Sequence, residues 1–91
     1  MIIKANIIGK VQGVYFRQST VDFVNTNSLN LEGFVRNLKD GSVEVVAAGD
    51  EVSIKKLLEF LKYGPPTARV DLVKVDKHYK CPSKLNSFER L

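Results

Sequence analysis

The run Gly9-Lys10-Val11-Gln12-Gly13-Val14-Tyr15-Phe16-Arg17 holds the residue types and spacing in this chain best suited to chemistry. Two glycines bracket three residues directly after an apolar segment, and an arginine lies four residues past the second glycine. A turn of this kind aims several backbone N–H groups into one concavity, and a guanidinium beside them adds a fixed cationic fork. Together they bind a phosphate or a carboxylate without a metal. The run is not a Walker loop, because it lacks Gly-Lys-Ser/Thr, and not a dinucleotide fingerprint, because it lacks Gly-x-Gly-x-x-Gly. Arg17 falls where a helical pattern begins. A cation at a helix N-terminus opposes the macrodipole unless an anion sits between them, so its placement asks for an anion.

The other candidates are weaker. Asn37 ends a strand-like segment two residues before a tight turn, where Asn is common for conformational reasons alone. His78 and Cys81 lie in a polar stretch near Pro82, with no sign of the electropositive niche and orienting third group that a nucleophilic cysteine needs. One histidine is too few for a metal site. The ten carboxylates are scattered along the chain, and no pair suggests an acid–base couple. An enzyme built from this inventory must run a reaction that needs little general-acid help. Ser19 reads as a local helix-start cap. Thr20, one turn inside the helix from Phe16, reads as packing, with a second role in fixing the loop or a water.

The elements that must position these residues follow from periodicity. Ile3, Ala5 and Ile7 alternate with Lys4 and Asn6, giving a strand with one face inward. Phe16, Thr20, Phe23, Val24 and Asn27 recur at helical spacing. The run Asn25–Asn30 then favours an exit, with Asn30 the candidate left-handed residue. Leu31 to Asn37 predicts a second strand, Lys39-Asp40-Gly41 a hairpin turn, and Val43, Val45 and Ala47 a third strand. Asp50 is placed to cap a helix in which Ile54, Leu57, Leu58 and Leu61 share one face, ended by Gly64-Pro65-Pro66. Ala68, Val70 and Leu72, then Val73 and Val75, predict a fourth strand with a bulge where the phase changes. Lys77 to Asn86 is polar and irregular, and Phe88 to Leu91 forms a short edge strand. The order is β-α-β-β-α-β plus a last strand. The expected fold class is α+β: a ferredoxin-like sandwich whose antiparallel sheet carries two helices on one face and a short fifth edge strand.

Ninety-one residues read as a single domain, 1–91, with one modest core. No stretch reaches the about 20 apolar residues of a membrane span, and nothing resembles a signal peptide. A single cysteine excludes an internal disulfide and a cysteine-based metal cluster, so a cytoplasmic setting is expected. A net charge of +4 favours encounter with anionic substrates.

The words GxVQGVxFR resemble the signature of the acylphosphatase family. The resemblance continues in Gly33-Phe34-Val35-Arg36-Asn37, Asp40-Gly41-Ser42-Val43-Glu44 and Gly64-Pro65-Pro66-Thr67-Ala68-Arg69-Val70, in the family's order and over most of the chain. It implies hydrolysis of acyl phosphates to a carboxylate and inorganic phosphate, with no metal and no organic cofactor. It implies a phosphate-binding loop formed by Lys10, Val11, Gln12, Gly13, Val14, Tyr15 and Phe16. Arg17 would bind the phosphate oxygens and Asn37 would orient the attacking water. The implied partner is a small acyl phosphate, or inorganic phosphate in the loop, with no nucleic acid and no membrane, and the expected state is a monomer. Three departures stand out. The segment from Arg17 to Asn37 is two residues longer than the usual family spacing, Asn30 stands where the family commonly has Gly, and Phe34 where it often has Trp.

Three rival readings share parts of this pattern. RNA-recognition domains have the same β-α-β-β-α-β order, but Glu32-Gly33-Phe34-Val35 only grazes their aromatic motif. The N-terminal domain of carbamoyltransferase maturation proteins has the same module within a much longer chain. A non-enzymatic anion-binding relative would not be expected to keep both Arg17 and Asn37.

Overall fold

In the computed structural model, which describes residues 1–81 and 84–91, the chain runs β1 (Ile2–Lys10), α1 (Phe16–Thr26), β2 (Leu31–Asn37), β3 (Val43–Gly49), α2 (Glu51–Leu61), β4 (Arg69–Asp76) and β5 (Glu89–Arg90). The five strands form one sheet in the order β4-β1-β3-β2-β5. The α+β ferredoxin-like fold expected from the sequence is therefore present. Its four long strands are antiparallel, and the short fifth adds to the edge of β2 in parallel.

Alternation decides which side of the sheet is inside. Ile3 pairs with Ala47, Ala5 with Val45 and Ile7 with Val43 across β1 and β3, and all six are fully buried. β2 continues these rows with Gly33, Val35 and Asn37. Asn37 thus stands in the last inward row, beside Val43 and Ile7, where every other member is apolar. β4 carries one extra residue, because Ile8 pairs with Leu72 while Gly9 pairs with Val70. The bulge so formed at Asp71 comes one residue before the phase change seen in the sequence. It turns Val70 and Val73 toward the core and leaves Leu72 exposed.

The helices close the inward face. In α2, Ile54, Leu57 and Leu61 are buried on the stripe that their spacing predicts, each contributing about 1.5–3 kcal/mol by leaving water. Asp50 caps this helix, its carboxylate accepting from the Ser53 N–H at 2.6 Å. In α1, Phe16, Thr20 and Val24 are buried, and Phe23 stacks on Phe60 of α2 with ring centroids 4.6 Å apart. The exit of α1 departs from expectation. The left-handed residue is Ser28, with φ 52°, not Asn30. The helix runs on to Thr26, so the residue two positions later must reverse the chain. The Ser28 N–H then donates to the Asn25 carbonyl and the Leu29 N–H to the Val24 carbonyl, the paired bonds of a helix C-terminus.

Because β4 and β5 lie on opposite edges, the segment between them must cross the sheet. Tyr79 lies over Lys4 Nζ, 5.2 Å from its ring centroid, on the outer face, and the Asn86 carbonyl accepts from the Gly33 N–H at 3.0 Å. Pro82 and Ser83 of the irregular run lie outside the described residues. Gly33 has φ +144°, and a Cβ there would collide with the Val46 carbonyl oxygen, so close strand packing requires glycine at this point.

The bond from Ser53 holds the Asp50 carboxyl below its ordinary pKa of 3.8. A depressed carboxylate stabilises the fold above its unfolded pKa, and that contribution disappears as the pH falls through the folded value. Asp50→Ala is accordingly expected to lower Tm near neutral pH and to approach the parent in acid, at a pH well below 3.8. Thermal melts by circular dichroism at both pH values check this. An unchanged neutral Tm would remove the cap from the account.

Candidate functional site

The loop between β1 and α1 is shaped by two left-handed residues, Gly13 at φ 72° and Tyr15 at φ 69°. Its orientation follows from where its carbonyls go. Thr67 donates its hydroxyl to the Val14 oxygen at 2.6 Å, the Ser19 N–H donates to the Tyr15 oxygen at 3.0 Å, and Thr20 donates to the Phe16 oxygen at 2.8 Å. A trans peptide points its N–H opposite to its C=O. With these oxygens bound to protein, the amides of Tyr15, Phe16 and Arg17 face the other way. Among the described residues, the N–H groups of Gln12 to Gln18 have no protein acceptor.

These amides border a small cavity of about 170 Å³, lined by Val11, Gly13, Tyr15, Phe16, Arg17, Gln18, Asn37 and Arg90. Arg17 is fixed from the far end of the chain, its Nη1 donating to the Leu91 carbonyl at 2.7 Å. Asn37 reaches the cavity from the last inward row of the sheet. Its Oδ1 is buried and has no hydrogen-bond partner among the described residues. A buried acceptor left in that state costs about 1–3 kcal/mol, so a donor belongs in front of it. Among the described residues no Asp or Glu lines the cavity, and the two charged side chains that do are both arginines. The arrangement can hold an anion with a polar hydrogen donor beside it.

Six of the residues singled out in the sequence meet here: Val11, Gly13, Tyr15, Phe16, Arg17 and Asn37. Four do not line the cavity. Lys10 is the exposed last residue of β1, opposite Arg69. Val14 packs against the core. The Gln12 side chain turns away to the turn between β2 and β3. Thr20 is fully buried and bonds back to its own helix, which makes it a packing residue that also holds the Phe16 carbonyl. Ser19 caps nothing with its side chain, because Tyr15 occupies the N-cap position without a side-chain bond.

Sequence reasoning missed Gln18 and Arg90. Gln18 lies beside the loop and donates to Asp22 at 2.9 Å, a contact that its i,i+4 spacing could have signalled. Arg90 enters because β5 pairs with β2 in a register that sets it beside Val35 on the inward face, and no local pattern encodes that pairing. Tyr15, exposed at the rim, donates its hydroxyl to Asp22 at 2.9 Å. That bond to Asp22 raises the phenol pKa above 10.0, and Arg90 pulls the other way. Among the described residues, no group of three His, Cys, Asp or Glu converges as a metal site, and no helix is long and apolar enough to cross a membrane.

With this geometry in place, comparison with known proteins is specific. A family model described as Acylphosphatase matches residues 3–90. An acylphosphatase of Acaryochloris marina is 51% identical over 75 residues, covering 82% of this chain and 78% of the relative. The structure of an acylphosphatase from Coxiella burnetii superposes with a TM-score of 0.82 at 38% identity, covering 99% of this chain and 90% of the other. The crystal structure of acylphosphatase from Bacillus subtilis gives 0.84 at 28% identity, covering 100% and 99%.

Gly13 offers a test of the loop geometry. A Cβ there meets nothing within 4 Å, so a substitution is opposed only by the left-handed backbone. Gly13→Ala is expected to fold with the parent topology and to lose about 1–2 kcal/mol in denaturant unfolding. A variant as stable as the parent would mean that the loop does not hold this conformation.

Proposed function

The chain belongs to the acylphosphatase family, whose reaction is hydrolysis of acyl phosphates, and we propose that it carries this out by direct in-line attack of water at the cavity between the 9–17 loop and Asn37. The observation that supports this most is the convergence there of unpaired amides, Arg17 and a buried acceptor without a partner.

In this reading the phosphate sits in the loop, its oxygens receiving the free N–H groups and the Arg17 guanidinium. Charge on the equatorial oxygens of the transition state is stabilised by donors already in place, and phosphoryl transfer draws most of its acceleration from such positioning and charge stabilisation. Asn37 Oδ1 accepts a hydrogen from the attacking water and aligns its oxygen with phosphorus. As an amide it is no base, so the water's proton passes to a phosphate oxygen of the substrate. The new P–O bond forms to water, and the bond from phosphorus to the acyl oxygen breaks. The carboxylate leaves with the electron pair. Its conjugate acid has a pKa of about 4–5, so it departs without a proton and no general acid is needed. No phospho-enzyme forms, and the reaction requires neither metal nor organic cofactor, because the amides and Arg17 supply the charge stabilisation. Arg90, the second arginine at the cavity, adds to the positive field that draws the anion in. The same reading takes the chain as a single-domain monomer of the cytoplasm whose partner is a small acyl phosphate and not a nucleic acid.

Hydrolysis of acetyl phosphate or benzoyl phosphate in EDTA tests this. The parent is expected to be active, and loss of activity on chelation would contradict the metal-free mechanism. Arg17→Ala is expected to lose about 100-fold or more in kcat/KM and to lose affinity for inorganic phosphate as well, since the guanidinium acts in ground and transition states. Retained phosphate affinity would remove Arg17 from the anion site. Asn37→Ala is expected to lower kcat by about 100-fold while the phosphate inhibition constant changes by less than about threefold. A near-normal kcat would remove Asn37 from the mechanism.

A further inference from the structure

The Gln12 side chain makes a contact that the phosphate loop itself does not require. Its Nε2 donates to the Leu38 carbonyl at 2.7 Å and to the Ser42 carbonyl at 2.8 Å. These oxygens open and close the turn between β2 and β3. The Leu38 N–H donates to Ser42 O at 2.9 Å, and the Gly41 N–H donates to Leu38 O at 3.2 Å. The turn is braced from within as well, Asp40 Oδ1 accepting from the Ser42 N–H and hydroxyl at 2.9 and 2.6 Å. Asn37 is the residue directly before Leu38. Gln12 is the residue directly before Gly13. One side chain therefore ties the anion loop to the segment that carries the water-aligning amide.

We propose that Gln12 is a positioning residue that fixes Asn37 relative to the bound phosphate. Both protons of its amide nitrogen are committed to the turn, so it has no N–H left for an anion. Asn37 Oδ1 has no protein partner among the described residues to hold its orientation, so its aim is set by the backbone beneath it. That backbone is held to the loop by the two bonds from Gln12. The task suits glutamine: glutamate, when ionised, offers no donor to the two carbonyls, and asparagine is shorter by one methylene. The inference rests on the assignment of Asn37 as the group that aligns water.

A double-mutant cycle separates positioning from mere stability. Gln12→Met keeps the volume and removes both bonds. It is expected to lower kcat on acetyl phosphate about tenfold or more, as small misplacements at a reacting centre do. The inhibition constant of inorganic phosphate is expected to stay within about twofold, because the amides and Arg17 remain. In the Asn37→Ala background the same substitution is expected to cost less than about twofold further in kcat, since there is no amide left to aim. An equal loss in both backgrounds overturns the proposal, as does an unchanged kcat in the single variant or a loss confined to phosphate affinity. Should Gln12→Met fail to fold, Gln12→Asn enters the same cycle with the same readings. A parent that hydrolyses acetyl phosphate and slows on Asn37→Ala keeps the assignment of the site intact whichever way the cycle falls.

Discussion

Seven consecutive backbone donors without a protein acceptor among the described residues, from Gln12 to Gln18, are the condition around which this molecule is organised. Left to itself a loop would fold onto its own carbonyls, because each unmet donor carries a penalty once shielded from water. Here that collapse is prevented from behind. Side chains and helix amides that arrive from α1 and from the segment before β4 take the loop's oxygens, and Phe16 anchors the loop's end in the core. With the acceptors occupied and Gly13 and Tyr15 in left-handed conformations, the donors have only the cavity to face. In the proposed reading an anion satisfies several of them at once, and Arg17 compensates for the charge it brings.

The sheet supplies the opposite wall. On β1, β2 and β3 its inward rows carry no polar side chain except at the row nearest the loop, where Asn37 stands beside Ile7 and Val43. A polar group in that position is expensive unless a ligand completes it, which is how a core residue becomes a site residue. Rigidity is inherited from packing: the rows below are fully buried, and the helices that cover them are joined through the Phe23–Phe60 stack. The loop and the sheet thus meet as two preformed surfaces.

Much of this was legible in the sequence because it depends on local periodicity or short-range chemistry. Alternation fixed which residues of β1 and β3 face inward, the spacing of Ile54, Leu57 and Leu61 fixed the stripe of α2, and Asp50 marked its start. The run from Gly9 to Arg17 pointed through its glycines and its cation to the loop whose amides border the cavity. What stayed hidden depends on pairing between distant segments. Arg90 enters the cavity only because β5 adds in parallel to β2 at one register, and Gln12 reveals its use only once the β2–β3 turn is seen beneath it. The error at Asn30 has another cause. Composition suggested a left-handed asparagine, but the length of α1 decides which residue must reverse the chain, and Ser28 takes the position despite a weaker intrinsic preference.

The bond between Arg17 and the Leu91 carbonyl spans 74 residues of sequence. Leu91 directly follows a two-residue strand, the shortest element of the sheet. The loop's free amides all lie in the first third of the chain, yet the anchor of Arg17 comes from residue 91. Short edge elements belong to the low-stability end of a native structure. The anchor of Arg17 is therefore a property of the docked edge: undocking of β5 frees the guanidinium while helix content and core packing still report a folded chain.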